Sequence, residues 1–402
     1  MNTQTRPLWL IILSAGLIVG TAMGLRQVLG LYLRPMTMEL GIGREPFSNA
    51  MALANLTWGF GAVAAGMVAD RWGAGRVAVI GSLGSAAGFL LLYLAHSPRD
   101  LLIGGILLGV GVSGTGITAL VGAVGRAAPP EKRVAAIAAI GMASGIGGFL
   151  AFPYVHALIE GLGWRDSLLV VALSCAALTP LAYFLSGKPP AAAAGVKAQS
   201  LGAAFREAFA LPSFWLLIGG FFVCGFHVSF YSVHLPAYVQ DQGLGVWVGV
   251  WALMALGLAN IAGTWLAGQS SRYLQKRITL SGIYALRAVI FVGIIYLPAT
   301  PLTVIGLTTL LGIGWLSTIP LTSGLVATFF GTGWMSMLFG FVFLSHQLGS
   351  FAGLYLAGVL YDATRSYTAM WWICAGLGVF ASLMHLPIRE RPVPRLMPMA
   401  AE

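Results

Sequence analysis

The sequence predicts an all-α membrane protein with twelve transmembrane helices, arranged as two six-helix halves around a central cavity. Of 402 residues, 58% are hydrophobic and only 8% are charged, and the mean hydropathy is +0.87. A soluble domain, by contrast, carries about 25% charged residues. Twelve apolar stretches are each long enough to cross a hydrocarbon layer of about 30 Å as a helix. The alternating strands of about ten residues that a membrane β-barrel needs are absent. The stretches are residues 8–33, 46–69, 77–95, 101–122, 134–156, 167–185, 213–238, 244–268, 278–297, 302–326, 337–360 and 368–387.

The first apolar stretch does not have the form of a cleaved signal peptide. It is longer than the roughly 7–15 apolar residues of a signal sequence, and no cleavage site of small residues follows it. We therefore expect it to remain as the first transmembrane helix.

The three cysteines all lie inside apolar stretches, at Cys175, Cys224 and Cys374. That position argues against disulfides and against a zinc site. We expect no metal, no cofactor and no role for thiol chemistry.

The basic residues predict the orientation of the helices. With the N-terminus inside and the stretches alternating, fifteen of the 22 Lys and Arg residues lie in inner segments and five in outer ones. Basic residues concentrate on the cytoplasmic side of bacterial-type membrane spans, so we expect both termini to be cytoplasmic in a cell (inner) membrane. The net charge of +10 is then explained by contact with anionic lipid, and no nucleic-acid partner is needed.

Two basic residues remain inside the apolar stretches, and no acidic residue accompanies them. These are Arg26 and Arg287, whereas all twelve acids fall in loops or tails. An anion entering a cavity with basic groups and no carboxylates gains Coulomb attraction, while a cation finds no counter-charge. This asymmetry favours an anionic small molecule as the partner of the cavity.

A polar segment, Ser186 to Pro212, separates the first six stretches from the last six. We expect an N-terminal bundle at 1–187, a cytoplasmic linker at 188–211 and a C-terminal bundle at 212–402. The linker tract 201–210 has the pattern of a short amphipathic helix at the membrane surface. At a shift of 201 residues, "GMVADRWGAGR" aligns without gaps to "AGQSSRYLQKR". Two parallel repeats of this kind are typical of transporters that rock one half against the other.

The string "GMVADRWGAGR", after the second apolar stretch, resembles the signature loop of the major facilitator superfamily, G-x-x-x-D-R-x-G-x-x-R. The resemblance implies a monomeric membrane transporter and not an enzyme. It also implies that this loop helps to latch one state of the transport cycle. In the second copy Ser271 stands at the place of Asp70, so we expect a weaker latch there. The implied gating residues are Gly66, Asp70, Arg71, Gly73 and Arg76.

Within that superfamily the chain looks most like bacterial monocarboxylate and oxalate/formate-type carriers, in "RQVLGLYLRPM", "TIPLTSGLVATFFGT" and "FLSHQLGSFAG". It departs from them in the eighth stretch, where Asn260 and Thr264 are present but no arginine. The resemblance implies secondary transport of a small organic anion, coupled to protons or to exchange. The alternative is export of a neutral or amphipathic metabolite through a pocket of aromatic residues such as Phe226, Phe230 and Phe343.

The two intramembrane arginines lead to different expectations. Arg26, beside Gln27, is a candidate ligand because a guanidinium binds two carboxylate oxygens at once. The alternative is that Arg26 extends to the membrane interface. Arg287 lies near the middle of the ninth stretch, which in the superfamily is a peripheral scaffold. There we expect backbone carbonyls or hydroxyls to satisfy it, with a direct ligand role as the alternative.

Histidines are the candidate proton carriers, since imidazole titrates near physiological pH. His227, Tyr231 and His234 share one face of the seventh helix. His346, beside Gln347, falls near the middle of the eleventh stretch. His227, Tyr231, His346 and Gln347 are also candidate substrate contacts. The alternative for each histidine is an ordinary buried side chain with satisfied hydrogen bonds.

Hydroxyl groups of the fourth and tenth stretches complete the candidate site. "GVGVSGTGITAL" supplies Thr115 and Thr118, and its glycine pattern cannot be a dinucleotide loop because no strand precedes it. In the tenth stretch Pro320 is expected to break the helix and free carbonyls toward a wet cavity. The candidate contacts there are Trp315, Ser317 and Thr318.

Overall fold

The protein is described by a computed structural model. It describes residues 7–116, 120, 124, 127–128, 133–186, 200–270, 273–331 and 335–396, with backbone alone at 67, 70–72, 133–135, 137–138, 201 and 335–337. The described residues are almost entirely helical and contain no strand. The first half consists of α1 (Leu8–Gln27), α2 (Gly30–Leu40), α3 (Arg44–Trp72), α4 (Ala74–Tyr93), α5 (Pro98–Thr115) and α6 (Arg133–Ala177), followed by a 3₁₀ helix at Thr179–Leu185.

The second half is preceded by a short helix of the linker. The helices are α7 (Leu201–Phe209), α8 (Pro212–Asp241), α9 (Val246–Ser270), α10 (Lys276–Tyr296), α11 (Pro301–Ile313), α12 (Thr318–Phe330), α13 (Met335–Thr364) and α14 (Thr368–His385). Within the described residues, nine helical segments are long and apolar enough to span a membrane. Large apolar side chains such as Trp9, Phe60 and Leu302 are exposed along these helices, as expected where lipid is the solvent.

Two apolar stretches are interrupted in ways that the sequence did not locate, whereas the break between the fifth and sixth stretches lies where it was expected, at Gly163 within α6, with a φ of 79°. The first stretch divides at Val28 and Leu29 into α1 and α2. The tenth breaks between Ile313 and Thr318, so the expectation of a break at Pro320 is wrong in its position. Pro320 lies in the first turn of α12, where its missing N–H costs no helical hydrogen bond.

The two halves pair their helices in the same way: the first apolar stretch of each half packs on the fifth, the second on the fourth, and the third on the sixth. In the first half α1 packs on α6, α3 on α5, and α4 on α6. In the second half α8 packs on α13, α9 on α11, and α10 on α14. Between the halves α3 packs on α13, α9 on α6, and α2 on α8.

The division of the chain into an N-terminal bundle at 1–187, a linker at 188–211 and a C-terminal bundle at 212–402 stays a prediction.

Glycines allow the closest of these contacts. A Cβ on Gly111 of α5 would collide with the backbone N of Ser85 on α4, and a Cβ on Gly147 of α6 would collide with the carbonyl of Gly20 on α1. The glycine-rich string of the fourth stretch therefore serves helix packing.

The two ends of the bundle are packed differently. One end, here called the Arg44 end, contains the start of α3 and the ends of α2, α8 and α13. There a single core of buried residues joins both halves, from Phe47 and Phe89 to Phe230 and Trp371. The opposite end, the linker end, contains α7. There the first half keeps a separate core around Ile11 and Val77.

Candidate functional site

Arg26 lies at the end of α1 and extends into the bundle. Its Nη1 donates to Oδ1 of Asn55 on α3 at 3.2 Å, and its Cζ lies 4.8 Å from the centroid of the Trp58 ring. Its Nε has no hydrogen-bond partner in the described part of the chain. The guanidinium is thus held by an amide and an aromatic face, which leaves a donor unused.

A cavity of about 30 Å³ adjoins this arginine. Arg26, Asn55, Trp58 and Ser85 supply its polar lining. Trp58 Nε1 and Ser85 Oγ are buried and, among the described residues, lack hydrogen-bond partners, as does Arg26 Nε. None of the described residues that line the cavity is acidic. We call this space and its polar lining the Arg26 chamber.

A chain of side chains connects the Arg26 chamber to the second half. Gln347 on α13 donates from Nε2 to the backbone carbonyl of Asn55 at 3.0 Å. With the amide so oriented, Gln347 Oε1 accepts a hydrogen bond from Nδ1 of His346 at 2.9 Å. His346 also stacks on Phe343, which meets Trp58 edge to face. The neutral His346 ring therefore keeps its lone pair on Nε2.

The structure places the other candidate contacts away from the Arg26 chamber. Gln27 faces Gly148 of α6. Thr115 donates to the carbonyl of Gly111, and Ser317 to that of Ile313. Thr118 lies outside the described residues.

The predicted residues of the seventh and tenth stretches lie in the core of the second half. The Tyr231 and Thr308 hydroxyls are hydrogen-bonded at 2.7 Å, and the Trp315 ring packs edge to face on Tyr231. His227 donates from Nε2 to the carbonyl of Cys374 at 2.9 Å. Thr318 contacts Cys224 instead of the Arg26 chamber.

Arg287 joins the broken tenth stretch to α10. Its Nη2 donates to the carbonyl of Gly314 at 2.7 Å and to that of Trp315. From the other side, Asn260 of α9 accepts from the backbone N of Leu316 at 2.9 Å. These contacts satisfy backbone groups that the break would otherwise leave bare in a buried region.

The segment with the predicted gating residues lies at the linker end, between α3 and α4. Gly73 has a φ of 96°, a conformation in which a side chain is strained, so glycine is required at this turn. Gly66 has open space beside it, and Arg76 is exposed. The side chains of Asp70 and Arg71 lie outside the described part of the structure.

The Arg44 end holds an ion-pair network that sequence reasoning missed. Arg44 donates from Nη2 to Asp241 of α8 at 2.7 Å. Asp362 of α13 accepts from the backbone N–H groups of Arg44 and Glu45 at 2.9 and 2.8 Å. A carboxylate at a helix N-terminus is favoured both by the free N–H groups and by the helix dipole. The first turn of α3 is thus held by acids of the other half.

His234 belongs to the same end, in a closed ring of hydrogen bonds. Arg44 Nη1 donates to the Tyr367 oxygen at 2.7 Å, and the Tyr367 hydroxyl then donates to His234 Nδ1 at 2.8 Å. His234 Nε2 donates to Ser48 Oγ at 3.2 Å, and Ser48 donates to the carbonyl of Arg44 at 2.8 Å. Because Arg44 can only donate and a carbonyl can only accept, the direction of every bond and the tautomer of His234 are fixed.

Asn55, Trp58 and Ser85 are the chamber residues absent from the sequence-based set. Asn55 and Trp58 lie three residues apart on α3, and therefore on one helix face. A polar residue such as Asn55 inside an apolar span is energetically costly and often marks a functional site. The sequence therefore did contain a signal for Asn55. Ser85 gives no such signal. In the described residues, no three His, Cys, Asp or Glu side chains lie together as a metal site would require.

Comparison with known families decides the class of this protein. The profile of the Major Facilitator Superfamily matches residues 8–354. The chain belongs to the major facilitator superfamily. It is therefore a multi-pass membrane transporter with the twelve-helix fold of that family, and not an enzyme.

Named relatives cover nearly the whole chain at low identity. Monocarboxylate transporter 11 of Mus musculus is 27% identical and covers 97% of this chain and 88% of its own length. The MFS-type transporter YcxA of Bacillus subtilis is 25% identical over 97% of this chain and 98% of its own length. The hexuronate transporter of Bacillus subtilis is 25% identical over 86% and 84%.

Solved structures share the fold. A bacterial homologue of the human lysosomal transporter Spinster, in an inward-facing and unoccupied conformation, superposes with a TM-score of 0.75. It is 15% identical, and the match covers 97% of this chain and 100% of that one. The two chains thus share one fold over nearly their whole lengths.

Proposed function

We propose that this transporter moves a small organic anion that carries a carboxylate, and that the Arg26 chamber binds it. The observation that carries the proposal is the set of three unused donors, Arg26 Nε, Trp58 Nε1 and Ser85 Oγ, in a described lining without acids. A carboxylate has about four lone-pair sites and accepts such donors, whereas a cation does not. Hydrogen bonds between ionised partners are about twice as strong as neutral ones.

The names of the relatives support a carboxylate. They denote transporters of monocarboxylates and hexuronate, and a gallate transporter of Pseudomonas putida is 30% identical over 39% of this chain. Each name denotes carboxylic acids, which are anions at neutral pH. The shared chemistry, and not any single compound, is what we carry over to this protein.

We further propose that the substrate enters by alternating access. The Arg26 chamber lies among buried residues of both halves, such as Met51, Leu108 and Val233. A carboxylic acid from solution reaches it only when the halves move apart. With both termini in the cytoplasm of the inner membrane, the Arg44 end faces outward and its network is the outer gate.

Transport by reconstituted protein tests the proposal. Proteoliposomes are loaded with a panel of labelled monocarboxylates, and exchange is measured for wild type, Arg26→Gln and Arg26→Lys. Arg99→Gln, an exposed arginine at the start of α5, is the matched control. We expect exchange to be lost in Arg26→Gln, reduced in Arg26→Lys and unchanged in Arg99→Gln. Wild-type exchange rates in Arg26→Gln would refute the role of the chamber.

The same assay distinguishes the proposed function from the alternative, a carrier of neutral or amphipathic metabolites. That alternative has some support, because Phe343 lies against both Trp58 and His346 beside the chamber. Each acid in the panel is therefore paired with its neutral amide. We expect transport of the acids alone. If amides are carried equally well, the cargo is not selected by charge and the anion proposal fails.

A further inference from the structure

Cys224 of α8 has surroundings unlike those of an ordinary buried thiol. Its side chain is fully buried, with 0% exposure. Arg287 Nη2 lies 3.7 Å from the sulfur and Thr318 Oγ1 lies 3.4 Å from it. The Tyr284 hydroxyl and the His346 imidazole also face the sulfur within interaction range. Groups of three other helices thus approach one sulfur: Arg287 of α10 as a donor, Thr318 of α12, and His346 of α13 with the lone pair on its Nε2.

Arg287 supplies the second observation, a buried cation without a carboxylate. Arg287 is 1% exposed, and none of the ion pairs among the described residues includes it. Its Nε and Nη1, and the Tyr284 hydroxyl, are buried without hydrogen-bond partners in the described ranges. A buried charge is costly unless an opposite charge compensates it. Of the groups in contact with Arg287, the Cys224 thiol is the strongest acid.

The remaining charged and titratable groups around the sulfur leave no better counter-ion. On α8, the helix of Cys224, the other titratable group is His227, which is a base and lies within electrostatic range of Arg287. On α10 the groups are Arg287 and Tyr284, and on α13 there is His346. His385 of α14 stacks on the Tyr284 ring at 5.1 Å. A thiolate is therefore the anion that this set of groups can stabilise.

We propose that Cys224 is the proton-binding residue of the transport cycle, alternating between a thiolate paired with Arg287 and a neutral thiol. This rests on the proposed function. The S–H bond breaks as a proton passes to the lone pair on His346 Nε2, where an N–H bond forms; the reverse step restores the thiol. His346 bonds to Gln347, Gln347 to Asn55, and Asn55 to Arg26. The proton site and the anion site are thereby joined across the two halves.

Two proteoliposome measurements test the coupling. Cys224→Ser keeps the shape of the side chain but replaces the thiol by a hydroxyl, which does not ionise near neutral pH. We expect accumulation driven by a pH gradient to fall to the level without a gradient, while exchange at equal pH persists. Cys374→Ser, at a second free cysteine that is also fully buried, is the matched control and keeps both activities. Gradient-driven accumulation in Cys224→Ser would overturn the proposal.

A spectroscopic measurement is independent of any substrate. The ultraviolet absorbance of the thiolate is titrated in purified protein, with size-exclusion chromatography to verify folding. We expect a thiolate signal in wild type and in Cys374→Ser, and none in Cys224→Ser or Arg287→Gln. A wild-type signal with no anion transport would refute the proposed cargo but not the ion pair. Absence of the signal from wild type throughout the titration would refute the ion pair itself.

Discussion

The Tyr367 hydroxyl is expected to govern the balance between the closed and the open Arg44 end. It accepts from Arg44 and donates to His234, and Tyr367 is 3% exposed. Tyr367→Phe removes both bonds while it preserves the ring. A net hydrogen bond to a charged group contributes about 1.5–3 kcal/mol and a neutral one about 0.5–1.5 kcal/mol. The closed arrangement should lose roughly 2–4 kcal/mol, or about 30-fold to 1,000-fold in the equilibrium.

Distances between spin labels measure this equilibrium. Met38 on α2 and Leu302 on α11 are 70% and 84% exposed at the Arg44 end, one in each half, and labelled cysteines replace both. We expect Tyr367→Phe to shift the population to longer distances. Tyr296→Phe, an exposed tyrosine near the same end, should leave it unchanged. Identical distance distributions in wild type and Tyr367→Phe would refute the argument that the ring of hydrogen bonds holds the gate.

Two further predictions concern packing and substrate recognition. Gly111→Ala places a Cβ against the backbone of Ser85 and should lower the free energy of unfolding by about 1–3 kcal/mol. Thermal unfolding in detergent measures it, with Gly306→Ala, which has open space, as the control; equal midpoints would contradict the packing argument. Trp58→Phe keeps the aromatic face but removes the indole N–H, so KM for the anion should rise about tenfold with kcat nearly unchanged. An unchanged KM would exclude that donor from the site.

The sequence was a good guide to the transmembrane helices and a poor one to where they break. Length and hydropathy locate the spans because lipid penalises every exposed polar group. The breaks depend on tertiary partners. The interruption before Thr318 persists because Arg287 and Asn260 satisfy its backbone groups, and Pro320, the local signal, lies just beyond it.

The pairs that form the Arg44 end were beyond sequence reasoning. Arg44 meets Asp241, Asp362 and Tyr367 across 197, 318 and 323 residues of chain. Each of these residues, taken alone, resembles an ordinary charged or aromatic loop residue. The same holds for Cys224, because only the fold brings it within reach of Arg287, 63 residues later.

The N-terminus of α3 is capped by a residue of another helix, α13. Gly43, which precedes it, has no side chain to accept the first N–H groups, and Asp362 takes that place from the other half. In the alternating-access cycle proposed above, separation of the halves at this end would take Asp362 away from those amides and leave them to water. The first turn of a membrane helix would then lose its cap and regain it once in every cycle.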